Sequence, residues 1–139
     1  MRILFLGDIV GISGCSKIMD NLLNQIEKNK IDFVIVNGEN AAEAGVGLTK
    51  EICEDLFKCG VDVITTGNHI WDQKEIMNFI DKDSRLLRPN NLYEPSPGKG
   101  FEIYTTPKNI KIGVLNLMGN VFMKKCDDVF DSSKKFIDK

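Results

Sequence analysis

Apolar residues along this chain switch between two periods. Arg2 to Gly7, Ile31 to Val36 and Val61 to Thr65 are short, nearly unbroken apolar runs closed by glycine or polar residues. Strands buried on both faces have that pattern. Between them, Ile18, Leu22, Leu23 and Ile26 recur at helical spacing, which predicts an amphipathic helix over Ser16 to Asn29 after a Gly11-Ile12-Ser13-Gly14 turn. Thr49 can cap a second helix carrying Ile52, Leu56 and Phe57, with Gly60 ending it. Asp72, with Glu75 three residues later, has the form of a capping box for a short helix through Ile80. Strands alternating with helices predict an α/β fold with parallel strands and right-handed crossovers.

The pattern then changes. Arg88 to Gly100 holds three prolines and two asparagines and reads as a loop. Phe101 to Thr105 and Ile110 to Leu117, separated by Pro107-Lys108-Asn109, predict a β-hairpin. Past Gly119 the chain turns polar, and Asp131-Ser132-Ser133 can begin a last helix. Two strands would then lie at a sheet edge with little chain to cover them, so residues 1–139 are expected to form a single but incomplete domain.

Composition narrows the classes. With 139 residues, 42% hydrophobic content and a net charge of −2, the chain suits one modest globular domain and carries no general basic surface for duplex nucleic acid. No stretch has the length of a membrane span, and the opening apolar run meets Gly7-Asp8 too soon for a signal peptide, so a cytoplasmic protein is expected. Cys15, Cys53, Cys59 and Cys126 form no C-x-x-C pair, and Cys53 and Cys59 read as small buried apolar residues.

The candidate chemistry sits where the three strands end. Leu6-Gly7-Asp8, Asn37-Gly38-Glu39-Asn40 and Thr66-Gly67-Asn68-His69 each place a carboxylate, an amide or the only histidine just after a buried run. In an open parallel sheet those ends share one edge, where ligands bind. Asp8 alone would read as a loop acid, but a second acid at a neighbouring strand end calls for a cation or proton between the two. Asp, Glu, Asn and His are donors for a hard-to-borderline divalent metal. The glycines around Asp8 lack the Gly-Lys-Ser/Thr of a phosphate loop and the G-x-G-x-x-G dinucleotide spacing. His69 can bind a metal or, protonated, donate to a leaving group. Trp71 reads as core or loop anchor, and Asp72 as a helix cap, with orientation of His69 as the alternative.

Those three segments, in this order and spacing, resemble the motifs of the calcineurin-like metallophosphoesterases, and within them the YmdB-type bacterial subgroup. Val10 stands where the wider superfamily has a metal-binding histidine, a loss the subgroup shares, and Glu39 replaces the commoner Asp. Arg88-Pro89-Asn90-Asn91 and Leu115-Asn116-Leu117-Met118-Gly119-Asn120-Val121-Phe122-Met123 also resemble the subgroup's pattern. The resemblance implies the N-terminal half of an α/β/β/α sandwich, with parallel strands followed by a β-hairpin. It implies two divalent metal ions, iron first with Mn or Zn as alternatives, held by Asp8, Glu39, Asn40 and Asn68, Glu39 bridging, and His69 as general acid. It further implies hydrolysis of 2′,3′-cyclic nucleotides by a cytoplasmic homo-oligomer. Family members take three more metal-binding histidines from a second half, and no histidine follows His69 here. Cys126, Asp127 and Asp128 match a loop before the first of these and do not replace them. The expectation is therefore an enzyme that these 139 residues alone do not make active. The alternative is a catalytically dead remnant that binds a nucleotide or a partner.

Overall fold

A computed structural model of the protein describes residues 1–92 and 95–137, so positions 93–94 of the expected loop lie outside the described residues. Strands β1 (Ile3–Leu6), β2 (Phe33–Asn37), β3 (Val63–Thr65) and β4 (Leu86–Leu87) form a parallel sheet in the order β1-β2-β3-β4. Strands β5 (Phe101–Thr105) and β6 (Lys111–Leu115) form an antiparallel hairpin that pairs Phe101 with Leu115 and Thr105 with Lys111. The fold is thus α/β, a parallel sheet followed by a hairpin.

Alternation explains why the strand sequences are apolar throughout. Leu4, Leu6, Val34, Val36, Ile64 and Leu86 face helices α1 (Gly11–Asn29) and α2 (Lys50–Lys58), meeting Ile18, Leu22, Ile26, Cys53 and Leu56. On the other face, Phe33, Val63 and Leu87 pack against Ile112 and Val114 of β6, with Tyr104 of β5 beside Phe33. The hairpin covers the centre of that face. On β1, Ile3 and Phe5 stay 45% and 59% exposed.

Helix ends follow the sequence in part. Thr49 accepts a hydrogen bond from Ile52 N, the expected cap of α2, and Gly60 turns the chain at φ +103°. Helix α1, however, starts at Gly11, five residues before Ser16. The expected Gly11–Gly14 turn is its first turn, entered at φ +62° on Gly11. Gly14 lets that turn lie against Ile9, since a Cβ there would sit 3.1 Å from the Ile9 side chain. The predicted capping box is also absent. Lys74–Asn78 is a 3₁₀ helix whose N-cap residue, Gln73, makes no side-chain bond to the helix, and Glu75 instead accepts from Lys50 N at the start of α2. The last helix, α3 (Val129–Ile137), is capped earlier than expected by Asp128, whose Oδ1 accepts from Phe130 N and Asp131 N.

Candidate functional site

The parallel register places the ends of β1, β2 and β3 side by side, and the candidate residues leave from there. The chain after β1 stays joined to that after β2: Ile9 N donates to Asn37 O at 3.0 Å and Gly11 N to Asn40 O at 2.8 Å. Asp8 takes φ +49°, a left-handed conformation that Asp tolerates better than most side chains. Its Oδ1 accepts from Asn40 Nδ2 at 2.7 Å, which fixes the Asn40 amide with its oxygen free of that bond.

Glu39 owes its position to a glycine. A Cβ built on Gly67 would fall 2.0 Å from Glu39 Oε2, so the carboxylate lies directly over the backbone just past β3. The following loop is clamped from the opposite side. Gly47 N donates to Glu39 O at 2.6 Å, Gln73 Nε2 donates to Val46 O at 3.0 Å, and Gly47 leaves room for Gln73 where a Cβ would lie 2.6 Å from its Cγ. Glu39 and Asn68 line a cleft of about 610 Å³ that runs between the sheet and the hairpin, with Asn37, Thr66, Asn116 and Met118 among its walls. Asp8 is not on that lining and reaches the cluster through Asn40.

Two oxygens in this cluster are conspicuous. Glu39 Oε2 and Asn40 Oδ1 are buried and accept no hydrogen bond. Leaving a buried acceptor unpaired costs about 1–3 kcal/mol, more for a charged group, so such atoms call for a cation or donor. Adjacent residues supply one anionic and one neutral oxygen at the sheet's ligand-binding edge, which fits a divalent cation. Among the described residues, no group of three or more His, Cys, Asp and Glu side chains assembles anywhere. The candidate set gathered at this edge is two carboxylates, Asp8 and Glu39, and two amides, Asn40 and Asn68. Thiols add nothing to it: burial raises Cys15 and Cys59 and pushes Cys53 up to about 12, keeping them neutral.

His69 stands one residue past Asn68, its side chain 34% exposed, with Nδ1 2.6 Å from Asp72 Oδ2. A carboxylate accepts only, so Nδ1 carries the proton of this bond and Nε2 is the ring atom left for other partners. Asp72 thus orients the histidine and caps no helix. Trp71 packs at the border of the main core, as a loop anchor does.

Asn116 escaped the residue-by-residue reading of the sequence. It is buried, and its Nδ2 donates to Thr66 O at 2.9 Å and to Leu87 O at 3.0 Å, pinning the chain just before Gly67-Asn68 to β4 and the hairpin. Asn91 acts similarly, donating to Met118 O and Asp127 O and accepting from Met118 N. Apart from the resemblance of their segments to the subgroup's pattern, the sequence signal for either is an amide in an otherwise apolar or proline-rich setting.

A family model described as YmdB-like protein matches residues 4–139. The chain belongs to the YmdB-like family. It is 44% identical over 137 residues to the 2′,3′-cyclic-nucleotide 2′-phosphodiesterase of Bacillus subtilis strain 168, covering 99% of this chain and 51% of that protein. A putative phosphatase/phosphodiesterase of Mycoplasma pneumoniae is 37% identical over 123 residues, 86% of this chain and 43% of its own length. Two solved structures superpose closely. One is a hypothetical protein from Thermus thermophilus, with a TM-score of 0.91 at 33% identity, covering 100% of this chain and 53% of that one. The other is a Mycoplasma pneumoniae protein described as a novel phosphatase, with a TM-score of 0.89 at 34% identity, covering 99% and 50%. The chain spans about half the length of the curated relatives it matches.

Proposed function

We propose that this chain supplies one half of the centre of a metal-dependent phosphodiesterase acting on 2′,3′-cyclic nucleotides. The observation that carries the reading is the pair of buried, unpartnered oxygens, Glu39 Oε2 and Asn40 Oδ1, at the shared carboxyl edge of β1, β2 and β3. The activity named for the Bacillus subtilis relative supplies the substrate class. Asp8, Glu39, Asn40 and Asn68 would hold the cations, iron first and Mn or Zn otherwise, with Glu39 serving two ions. Bound there, the cations supply positive charge to a phosphoryl group and polarise its oxygens.

The chain's own residues do the rest. Asp8 holds the Asn40 amide by its nitrogen, so the Asn40 oxygen is presented and not rotated away. Gly67 allows the Glu39 carboxylate to sit against the strand end from which Asn68 and His69 depart. In a protonated His69 the Nδ1 proton is committed to Asp72, and the Nε2 proton is the one available to a leaving ribose oxygen. The ligands still required come from the second half of the longer family members, and in the cell the assembly works as a cytoplasmic homo-oligomer.

Turnover of 2′,3′-cyclic nucleotides by this chain, alone and joined to the second half of the Bacillus subtilis relative, tests the reading. The joined protein should hydrolyse them in a chelator-sensitive way, and His69→Ala should slow it ~10²- to 10⁴-fold while leaving metal binding in place. The 139 residues alone should not turn over. A joined, metal-loaded protein without hydrolysis would favour a binding module, and loss of metal in His69→Ala would make His69 a ligand.

A further inference from the structure

We propose that the tip of the loop after β6, Val121 to Met123, is a nucleobase platform. On it the Phe122 ring stacks on the base of a nucleotide whose phosphate lies toward Glu39 and Asn68. The inference deepens the proposed function and rests on its reading of the cleft as a nucleotide site. Phe122 is the outlier that motivates it. Its side chain is fully exposed, and its backbone sits at φ +58°. A bulky residue in the left-handed region is strained, and a ring in solvent recovers nothing by packing. Non-glycine residues held in that region cluster at ligand clamps and active sites.

The loop is tied at its root and open at its tip. Asn116, the first residue past β6, donates to Thr66 O, immediately before Gly67-Asn68. Asn91 donates to Met118 O and Asp127 O, and Asn120 Nδ2 donates to Cys126 O at 3.3 Å. These bonds close the loop across its base. Beyond them Val121, Phe122 and Met123 are 76%, 104% and 44% exposed, three successive apolar side chains standing out of the surface. Met123 lines the same cleft as Glu39 and Asn68. The exposed tip therefore belongs to a wall of the candidate site.

The chemistry of the cleft selects the occupant. Glu39 and Asn68 form the wall proposed to meet a phosphate through cations, and Leu117, Met118 and Met123 form an apolar one. A volume of about 610 Å³ lies in the range of small-ligand sites. A cyclic nucleotide carries one anionic group and one flat, largely apolar group, and so matches both walls. Stacking on an aromatic ring accepts every base, because every base has a π-face. A thioether beside that ring also packs favourably on aromatic surfaces. Lys124 and Lys125 follow the platform, both exposed, and favour an anionic ligand. No amide or carboxylate stands at 121–125 to read a base edge, so base preference comes from stacking strength.

Methyl NMR of this chain, carbon-labelled at methionine and held in Mg²⁺, is the test, with Met123→Leu assigning the Met123 signal. Three ligands are titrated: 2′,3′-cyclic AMP, adenosine, and ribose 2′,3′-cyclic phosphate, which has no base. The Met123 methyl should move with both adenine ligands and stay still with the base-less one. Phe122→Ala changes a fully exposed side chain, so the fold should persist by circular dichroism. It should lower affinity for cyclic AMP about 5- to 150-fold, and Phe122→Tyr, which keeps a stacking face, should bind as the native chain does. A Met123 methyl that ignores millimolar cyclic AMP, or moves equally with the base-less ligand, overturns the proposal. Native affinity in Phe122→Ala overturns it too. The Asn40 and Asn68 side-chain amides, followed in the same titrations on nitrogen-labelled chain, separate the two readings. If they answer the base-less ligand while Met123 ignores adenine, the phosphate site stands and the platform falls. If Met123 answers adenosine while those amides answer neither phosphate ligand, the platform stands and the phosphodiesterase reading falls.

Discussion

The Glu39 carboxylate and the Gly67 backbone are in contact across the ends of β2 and β3, with Oε2 occupying the space where any side chain at 67 would begin. This contact joins two of the three motif segments into one site. It also gives the Gly-Asn-His segment a steric reason for its glycine: the residue before Asn68 must have no Cβ if Glu39 is to lie at the strand end. Gly67→Ala should therefore displace the carboxylate without unfolding the sheet. Affinity for Mn²⁺, followed by calorimetry, should fall ~10- to 100-fold, as when a supporting contact behind a ligand is lost. Unchanged affinity would show that Glu39 need not sit where it does.

His69 is the only histidine in the chain, so long-range nitrogen NMR spectra report it without overlap. The Asp72 contact requires the neutral ring to carry its proton on Nδ1. The native chain with a neutral ring should show that tautomer, and Asp72→Ala should shift the population toward Nε2–H. A native ring already protonated on Nε2 would mean that Asp72 does not orient it.

Asn116 bonds the Thr66 carbonyl just past β3 and the Leu87 carbonyl of β4, so its loss is felt at both. Asn116→Leu leaves Thr66 O without its Asn116 donor, while Leu87 O keeps the hydrogen bond from Thr66 Oγ1, and should destabilise the chain by about 1–3 kcal/mol, the cost of one unpaired acceptor. Urea unfolding measures this. A change below about 0.5 kcal/mol, the usual size for an innocuous surface site, would contradict the pinning role.

Acid should loosen the hairpin's tie to the sheet. Asp32 is held below the ordinary carboxylate range, first by the Lys108 ammonium on the hairpin turn and then by the Arg2 amide. A depressed folded-state pKa gives a contribution that is complete above the unfolded value of about 3.9 and is lost as pH falls through the lower folded value. Wild-type stability should therefore fall more steeply than that of Asp32→Asn between about pH 5 and about pH 2. Superimposable acid profiles would remove Asp32 from the account.

The strand ends were legible because each apolar run closes on Gly and a polar residue, and parallel pairing makes such ends neighbours. Features that depend on tertiary partners were not. Strand β4 is only Leu86-Leu87 and exists through its pairing with β3, with no periodicity of its own. Gly11 to Gly14 has turn composition, yet packing of Gly14 on Ile9 keeps it helical. Asp72 and Glu75 have capping-box spacing, but His69 and the start of α2 compete for their carboxylates and win. The hydrogen bond from Asn40 to Asp8, which leaves the Asn40 oxygen buried and unpartnered, spans 32 residues and has no local signature.

We propose that Asp8, Glu39, Asn40 and Asn68 form one cation site at the sheet edge. Titration of nitrogen-labelled chain with Mn²⁺, read by paramagnetic broadening, tests it most directly. Substoichiometric Mn²⁺ should selectively broaden the Asn40 and Asn68 side-chain amides and the neighbouring His69 ring, weakly enough that excess EDTA reverses it, and Glu39→Gln should abolish the effect. Broadening centred elsewhere, such as Asp127-Asp128, or an effect that survives Glu39→Gln, would contradict the account.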